Sequence, residues 1–172
     1  MTAPAGIPRS AKTSVSGLKA IYLALKEDVA ALASDYTITA GEVVFTTATI
    51  DMFARYVMQK ESASFNDVLT FAPTTGQKVY DQSLIAMFAI NTTTKTAAIE
   101  ALCDSELVAI LEDYNGLCVV VGLERGIDAI TVDYSTGVDG TTDLNGASLT
   151  FAAKSSFKSP NISSDFVHPV TP

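Results

Sequence analysis

A mainly β chain of the α+β type, arranged as a β-sandwich or half-open barrel with one flanking helix, is the fold class this sequence predicts. Three observations carry it. Short runs of β-branched and aromatic residues recur between Gly-, Asn- and Thr-rich turns. A single segment, Lys95–Asp104, carries a clear helical stripe. The 172 residues are 48% hydrophobic and only 17% charged, which is enough to bury one sizeable core.

Leu18–Leu25 is an apolar run that reads as the opening strand. Glu42 to Met58 alternates Val, Phe, Ile and Tyr with Thr, Asp and Arg and reads better as strand, although around Ile50 to Gln59 the residues Met52, Phe53, Tyr56 and Val57 also match a helical period. Lys78–Ile90 follows the turn residues Thr74-Thr75-Gly76 and is the longest predicted strand. Thr92-Thr93-Thr94 supplies an N-cap for the helix Lys95–Asp104, where Ala98, Ile99, Leu102 and Cys103 share one face and Glu100 points outward. Leu107–Glu112 and Leu117–Leu123 flank Asp113-Tyr114-Asn115-Gly116. Because Asn-Gly readily takes positive φ, the spacing predicts a β-hairpin. Gly126 closes its second strand, Ile127–Tyr134 resumes alternation, and Asn145-Gly146 leads from the loop Ser135–Thr142 into a last strand, Ala147–Ala153. That makes seven or eight strands and one helix. No period of 20 to 50 residues recurs, which argues against a solenoid.

Residues 1–16 and 154–172 are rich in Ala, Pro, Ser and Thr without an apolar period, a composition that fits frayed tails as well as arms; we read an N-terminal arm 1–16, a β-rich domain 17–153 and a C-terminal arm 154–172. The opening residues lack the apolar core of a secretory signal, and no run approaches the ~18 apolar residues of a membrane span; the expectation is a protein kept in the cytosol, with no membrane partner.

The formal net charge is −8, with 11 Lys and Arg against 19 Asp and Glu, so clustered cations that grip phosphates are not expected. An acidic surface suits a conduit through which DNA slides without anchoring. Catalysis fares poorly. The one histidine, His168, lies in a Pro-flanked tail where a general base is seldom held, and it has no second His at metal-ligand spacing. Cys103 and Cys118 lack a CxxC or Cys/His grouping and read as buried free thiols. Asp133, Asp139 and Asp143 near Gly137 and Gly140 do not match the EF-hand spacing and read as a solvated loop. Glu27 with Asp28, and Glu112 with Asp113, are sequence neighbours; on strands such pairs diverge to opposite faces and form no acid/base couple. No GxxxxGK[ST] or GxGxxG follows a strand. Asn91-Thr92-Thr93 and Asn161-Ile162-Ser163 match the glycosylation pattern, which a cytosolic chain has no route to use. The expectation is no catalytic, cofactor or metal site and no enzyme activity.

From Lys78 onward the order of elements becomes more specific: Val79-Tyr80-Asp81-Gln82-Ser83-Leu84, the Thr-capped helix, Leu107-Val108-Ala109-Ile110-Leu111-Glu112-Asp113-Tyr114-Asn115-Gly116, then Val121-Gly122-Leu123-Glu124-Arg125-Gly126. This resembles a family of tail tube or virion structural proteins in phages of Bacteroidota, including the crAss-like phages. Asp143-Leu144-Asn145-Gly146-Ala147-Ser148-Leu149-Thr150-Phe151 is similar to that family's terminal strand, and Gly17-Leu18-Lys19-Ala20-Ile21-Tyr22-Leu23-Ala24 to its opening strand. The likeness covers residues 17–155 and departs from the pattern at Leu117-Cys118-Val119, where aromatics are commoner, and in the C-terminal arm. It implies a tail tube-like fold and self-association into a ring, hexameric or higher, with sheets lining a lumen and a helix outside. It further implies neighbouring tail or connector proteins as partners, a genome that passes without specific binding, and a place in the virion tail after assembly in the host cytoplasm. Lys78–Ile90 and Val43–Met58 are then the candidates for lumen-side hairpins, with both arms clasping adjacent subunits. Two other readings stay open: the inner tube of a contractile injection system, and a β-sandwich ligand-binding module, against which stands the lack of any Trp for a sugar platform.

Overall fold

The computed structural model describes residues 16–31, 36–39, 41–45, 52–89, 92–136 and 145–162. Eleven strands and two helices are formed by these residues: β1 (Leu18–Leu25), α1 (Lys26–Ala31), β2 (Tyr36–Thr39), β3 (Glu42–Phe45), β4 (Ala54–Val57), β5 (Ala63–Ala72), β6 (Gln77–Ala89), α2 (Thr93–Cys103), β7 (Leu107–Asp113), β8 (Cys118–Val121), β9 (Asp128–Ser135), β10 (Gly146–Ser155) and β11 (Asn161–Ile162). They make two sheets, one of seven strands in the order β2-β3-β11-β8-β7-β1-β4 and one of four in the order β5-β6-β10-β9. The fold is a mainly β sandwich with a flanking helix, and neither sheet closes into a barrel.

Period-2 alternation decides what each strand buries. In β1, Ile21 and Leu23 face the four-stranded sheet, while Ala20, Tyr22 and Ala24 face the other way. β7 repeats this with Leu107, Ala109 and Leu111 against Val108 and Ile110. The central strands of the large sheet are therefore apolar on both faces, which is why they read as continuous hydrophobic runs. The main core lies between the sheets, where these residues meet Leu84 and Ala86 of β6 and Leu149 and Phe151 of β10. Truncating Phe151, which is fully buried, to Ala costs about 3–5 kcal/mol.

The helix α2 starts where the threonines place it. Thr92 has extended backbone and its hydroxyl accepts from the Lys95 amide, satisfying one of the otherwise unpaired first-turn donors. Ile99 then packs into the main core with Leu102 and Cys103 beside it. The hairpin β7–β8 forms at the predicted Asp113-Tyr114-Asn115-Gly116, but of the Asn-Gly pair only Gly116 takes positive φ, at +83°. The Asp113 carboxylate supplies the rest of the turn, accepting from the amides of Asn115 at 2.8 Å and Leu117 at 2.7 Å.

Several boundaries move. The Glu42–Met58 stretch is two strands, β3 and β4, near opposite edges of the large sheet, and residues 46–51 between them lie outside the described residues. The helical alternative fails at β4, because Ala54–Val57 pairs with β1. β8 stops at Val121, ahead of a turn that Gly126 closes by donating to the Gly122 carbonyl. Glu27 and Asp28 sit in the first turn of α1 rather than on a strand. Of the stretch expected as a C-terminal arm, Lys154 and Ser155 complete β10 and Asn161–Ile162 forms β11 inside the large sheet. Residues 1–15 and 163–172, with His168, lie outside the described residues, as do Gly137, Asp139, Gly140 and Asp143.

Candidate functional site

The register of the four-stranded sheet creates a face that no single strand reveals. Leu149 lies opposite Ala86 and Val132, and Phe151 opposite Leu84 and Ala129; these point to the core. The intervening positions therefore point outward. One outward row runs Ser64, Ile85, Thr150, Thr131, and the next runs Asn66, Ser83, Ala152, Asp128. Met87, Ser148 and Asp133 extend the face at one end, and Val68, Asp81 and Lys154 at the other. Half of these positions carry short Ser, Thr, Asn or Ala side chains, and Val68, Ile85 and Met87 are apolar. Its charges are Asp81, Asp128 and Asp133 against Lys154, whose ammonium lies 3.5 Å from Asp81. The Thr70 hydroxyl donates to the same Asp81 carboxylate at 2.6 Å and, with Lys154, holds it below the usual carboxylate range. Lys78–Ile90, expected to face a lumen, supplies β6 to this face; Val43 and Ala54–Val57 belong to the other sheet.

Both edges of this sheet are formed by long strands. β5 and β9 each pair on one side only among the described residues. On β9, Ile130 is 62% exposed at a register break opposite Thr150 and Phe151. The β5–β6 hairpin projects beyond the sandwich, leaving Val68, Leu69 and Phe71 about half exposed near its tip. On the core-facing side of that hairpin the chain after β10 crosses over it. The Gln82 amide donates to the Ser159 hydroxyl at 2.9 Å, and the Ser159 amide donates to Asp67 at 2.9 Å. Glu124 anchors the start of this crossing by accepting from the Ser156 amide at 2.7 Å, and that bond holds its pKa below the usual carboxylate range.

The residues with chemical potential are dispersed or internal. Glu112 is buried, takes a 2.5 Å bond from the Lys19 ammonium and accepts the Tyr22 hydroxyl at 3.0 Å; the Arg55 guanidinium lies 6.0 Å from the centre of the Tyr22 ring. Asp113, its sequence neighbour, turns to the β7–β8 loop instead. Cys103 on α2 and Cys118 on β8 are free thiols, and burial pushes Cys118 up to about 11, with Glu112 and Asp113 adding to the rise. Among the described residues no three His, Cys, Asp or Glu side chains gather to hold a metal ion, and no helix is long and apolar enough to cross a membrane.

β6 is legible in the sequence, whereas the face to which it belongs is not. Its signal is the Ser/Thr/Ala alternation in Ser148, Thr150 and Ala152, which becomes meaningful only once the neighbouring registers are known. Compared with protein-family models, curated proteins and solved structures, the chain matches none of them.

Proposed function

We propose that this chain is a structural subunit that self-assembles into a ring, hexameric or higher, and builds the tube or a ring of a bacteriophage tail. The observation that carries the reading is the outward face of the four-stranded sheet, with its short side chains and its three carboxylates against one ammonium. Turned to a central channel, such a wall offers passing DNA no cluster of cations to which phosphates would bind. The whole-chain charge of −8 has the same sign.

Among the described residues neither edge strand of this sheet has an outer neighbour, which favours assembly over a solitary existence. An uncovered long edge is a template for another strand, and a ring removes both edges at once by pairing β9 of one copy with β5 of the next. The apolar Ile130 on the β9 edge is then covered. The resemblance to tail tube proteins supports the same arrangement.

Mass measurement and negative-stain imaging of the purified protein across a concentration series test this. The expected result is rings or tubes with a central hole. A protein that stays monomeric at every concentration, and shifts its melting temperature with a small ligand instead, would overturn the reading in favour of a binding module.

A further inference from the structure

The strand β6 carries an apolar projection at one end and an apolar hollow at the other. At the hollow end, Tyr56 and Val57 of β4, Met87 and Phe88 of β6 and Ala98 and Leu102 of α2 line a cavity of about 290 Å³. Its mouth is greasy: Val57 is 65% exposed and Met87 39%. At the other end, Leu69 and Phe71 lie near the tip of the β5–β6 hairpin, with Val68 on its opposite face. From Lys78, which pairs with Phe71, to Met87 the strand spans roughly 30 Å, so no subunit can place its own tip in its own hollow.

We infer that the hairpin tip of one copy inserts Phe71 into the α2–β4–β6 hollow of a second copy, an inference that rests on the self-assembly proposed above. The contact is heterologous, with a different surface on each side, and such contacts propagate rather than stop at a pair. It is also directed along β6, across the edge-to-edge direction in which β9 and β5 face outward. Edges join copies side by side, and tip and hollow join them end to end.

Area explains why the contact belongs to a large assembly. Three half-exposed side chains of this size present on the order of 250 Å², far below the ~800 Å² per partner of a stable pair. A single tip in a single hollow is therefore weak. Repeated around a ring it becomes a stacking interface, since every subunit contributes one tip and one hollow to the same rigid body.

Cysteine pairing on the full chain tests the geometry. Val57→Cys and Phe71→Cys are made separately in a Cys103→Ser background, assembled singly and as a mixture, and oxidised. Disulfide-linked dimers in the mixture, absent from either variant alone, are expected. Rings or tubes that form normally without this cross-link overturn the inference and leave the proposed function standing. Dimers of Phe71→Cys alone overturn it too, because they put tip against tip. A mixture that stays monomeric, when the unsubstituted chain does too, brings down both.

Discussion

The Tyr22 hydroxyl on β1 donates to Glu112 Oε2 on β7 at 3.0 Å, and both side chains are buried. A buried carboxylate is tolerated only while its oxygens are satisfied. Lys19 caps the other oxygen from a half-exposed position at the end of β1. Tyr22→Phe removes one partner while keeping the ring, so it is expected to destabilise the fold by about 1–3 kcal/mol. Urea unfolding reads this directly; a midpoint unchanged from that of the parent would show that Glu112 is adequately held without the Tyr22 hydroxyl.

The same pair predicts a loss of stability in alkali. Burial pushes Tyr22 up to about 12 from its ordinary 10.0, and the hydrogen bond and charge of Glu112 add to the shift. The folded state therefore holds the phenolic proton more tightly than the unfolded state does. Its contribution is complete below pH 10 and is lost as pH rises through 12, amounting to on the order of 2 kcal/mol. Cys118, raised to about 11 from 9.0, acts in the same direction and begins to contribute one unit lower. Unfolding free energy should fall steadily above pH 9, and less steeply in Tyr22→Phe. Identical slopes in the two proteins would exclude Tyr22 as the source.

Acid should loosen the segment that follows β10. Glu124 has a depressed pKa because its carboxylate accepts from the Ser156 amide first, then from the Ser155 and Ser156 hydroxyls. A depressed folded pKa gives stability that is present above the unfolded value of 4.5 and lost as pH falls through the folded one. Glu124 is exposed, so the effect is local. Glu124→Gln should speed amide hydrogen exchange at Ser156 and Phe157 at neutral pH, leave global unfolding nearly unchanged, and abolish further acid sensitivity at those amides.

Gly146→Ala should be strongly destabilising, by about 2 kcal/mol or more. A methyl group here would run into the Phe88 carbonyl across the β10–β6 ladder. This glycine is required by the close approach of two backbones. A melting temperature equal to that of the parent would mean that the strands can separate without cost.

On the proposed channel wall, Ser148→Lys with Thr150→Lys places two ammonium groups where hydroxyls now stand. Assembled tubes of the double variant should retain duplex DNA at low salt and release it as salt rises, while parent tubes retain none. Equal retention by both would detach the face from any channel role.

What the sequence revealed depended on how local each signal was. β6, α2 and the β7–β8 turn carry their instructions within a dozen residues: an apolar alternation, a threonine cap, an aspartate and a glycine. β5 was not read at all, because Ser64, Asn66 and Thr70 interrupt any apolar run and its strand character comes from pairing with β6 over ten positions. α1 has only six residues, and β11 has two, Asn161 and Ile162, in a Ser- and Pro-rich stretch. Neither length leaves room for a period. The outward face was illegible for a further reason. Which residues of β9 join those of β10 depends on the register break between Thr150 and Phe151, a tertiary event with no local mark.

The position of β11 sets a timetable. Among the described residues, β2 and β3 reach the rest of the large sheet only through it: Ile162 pairs with Val43, Asn161 with Val119, and the Val120 amide donates to the Pro160 carbonyl at 2.9 Å. A ribosome delivers Ile162 about 120 residues after Val43, which at ~5–20 residues per second is many seconds later. The β3 edge waits through that interval, and the β8 edge, made about 40 residues before Asn161, waits for the same short strand. Nascent chains therefore cannot complete the large sheet early: β11, the last of the described strands, is the one that joins its two parts.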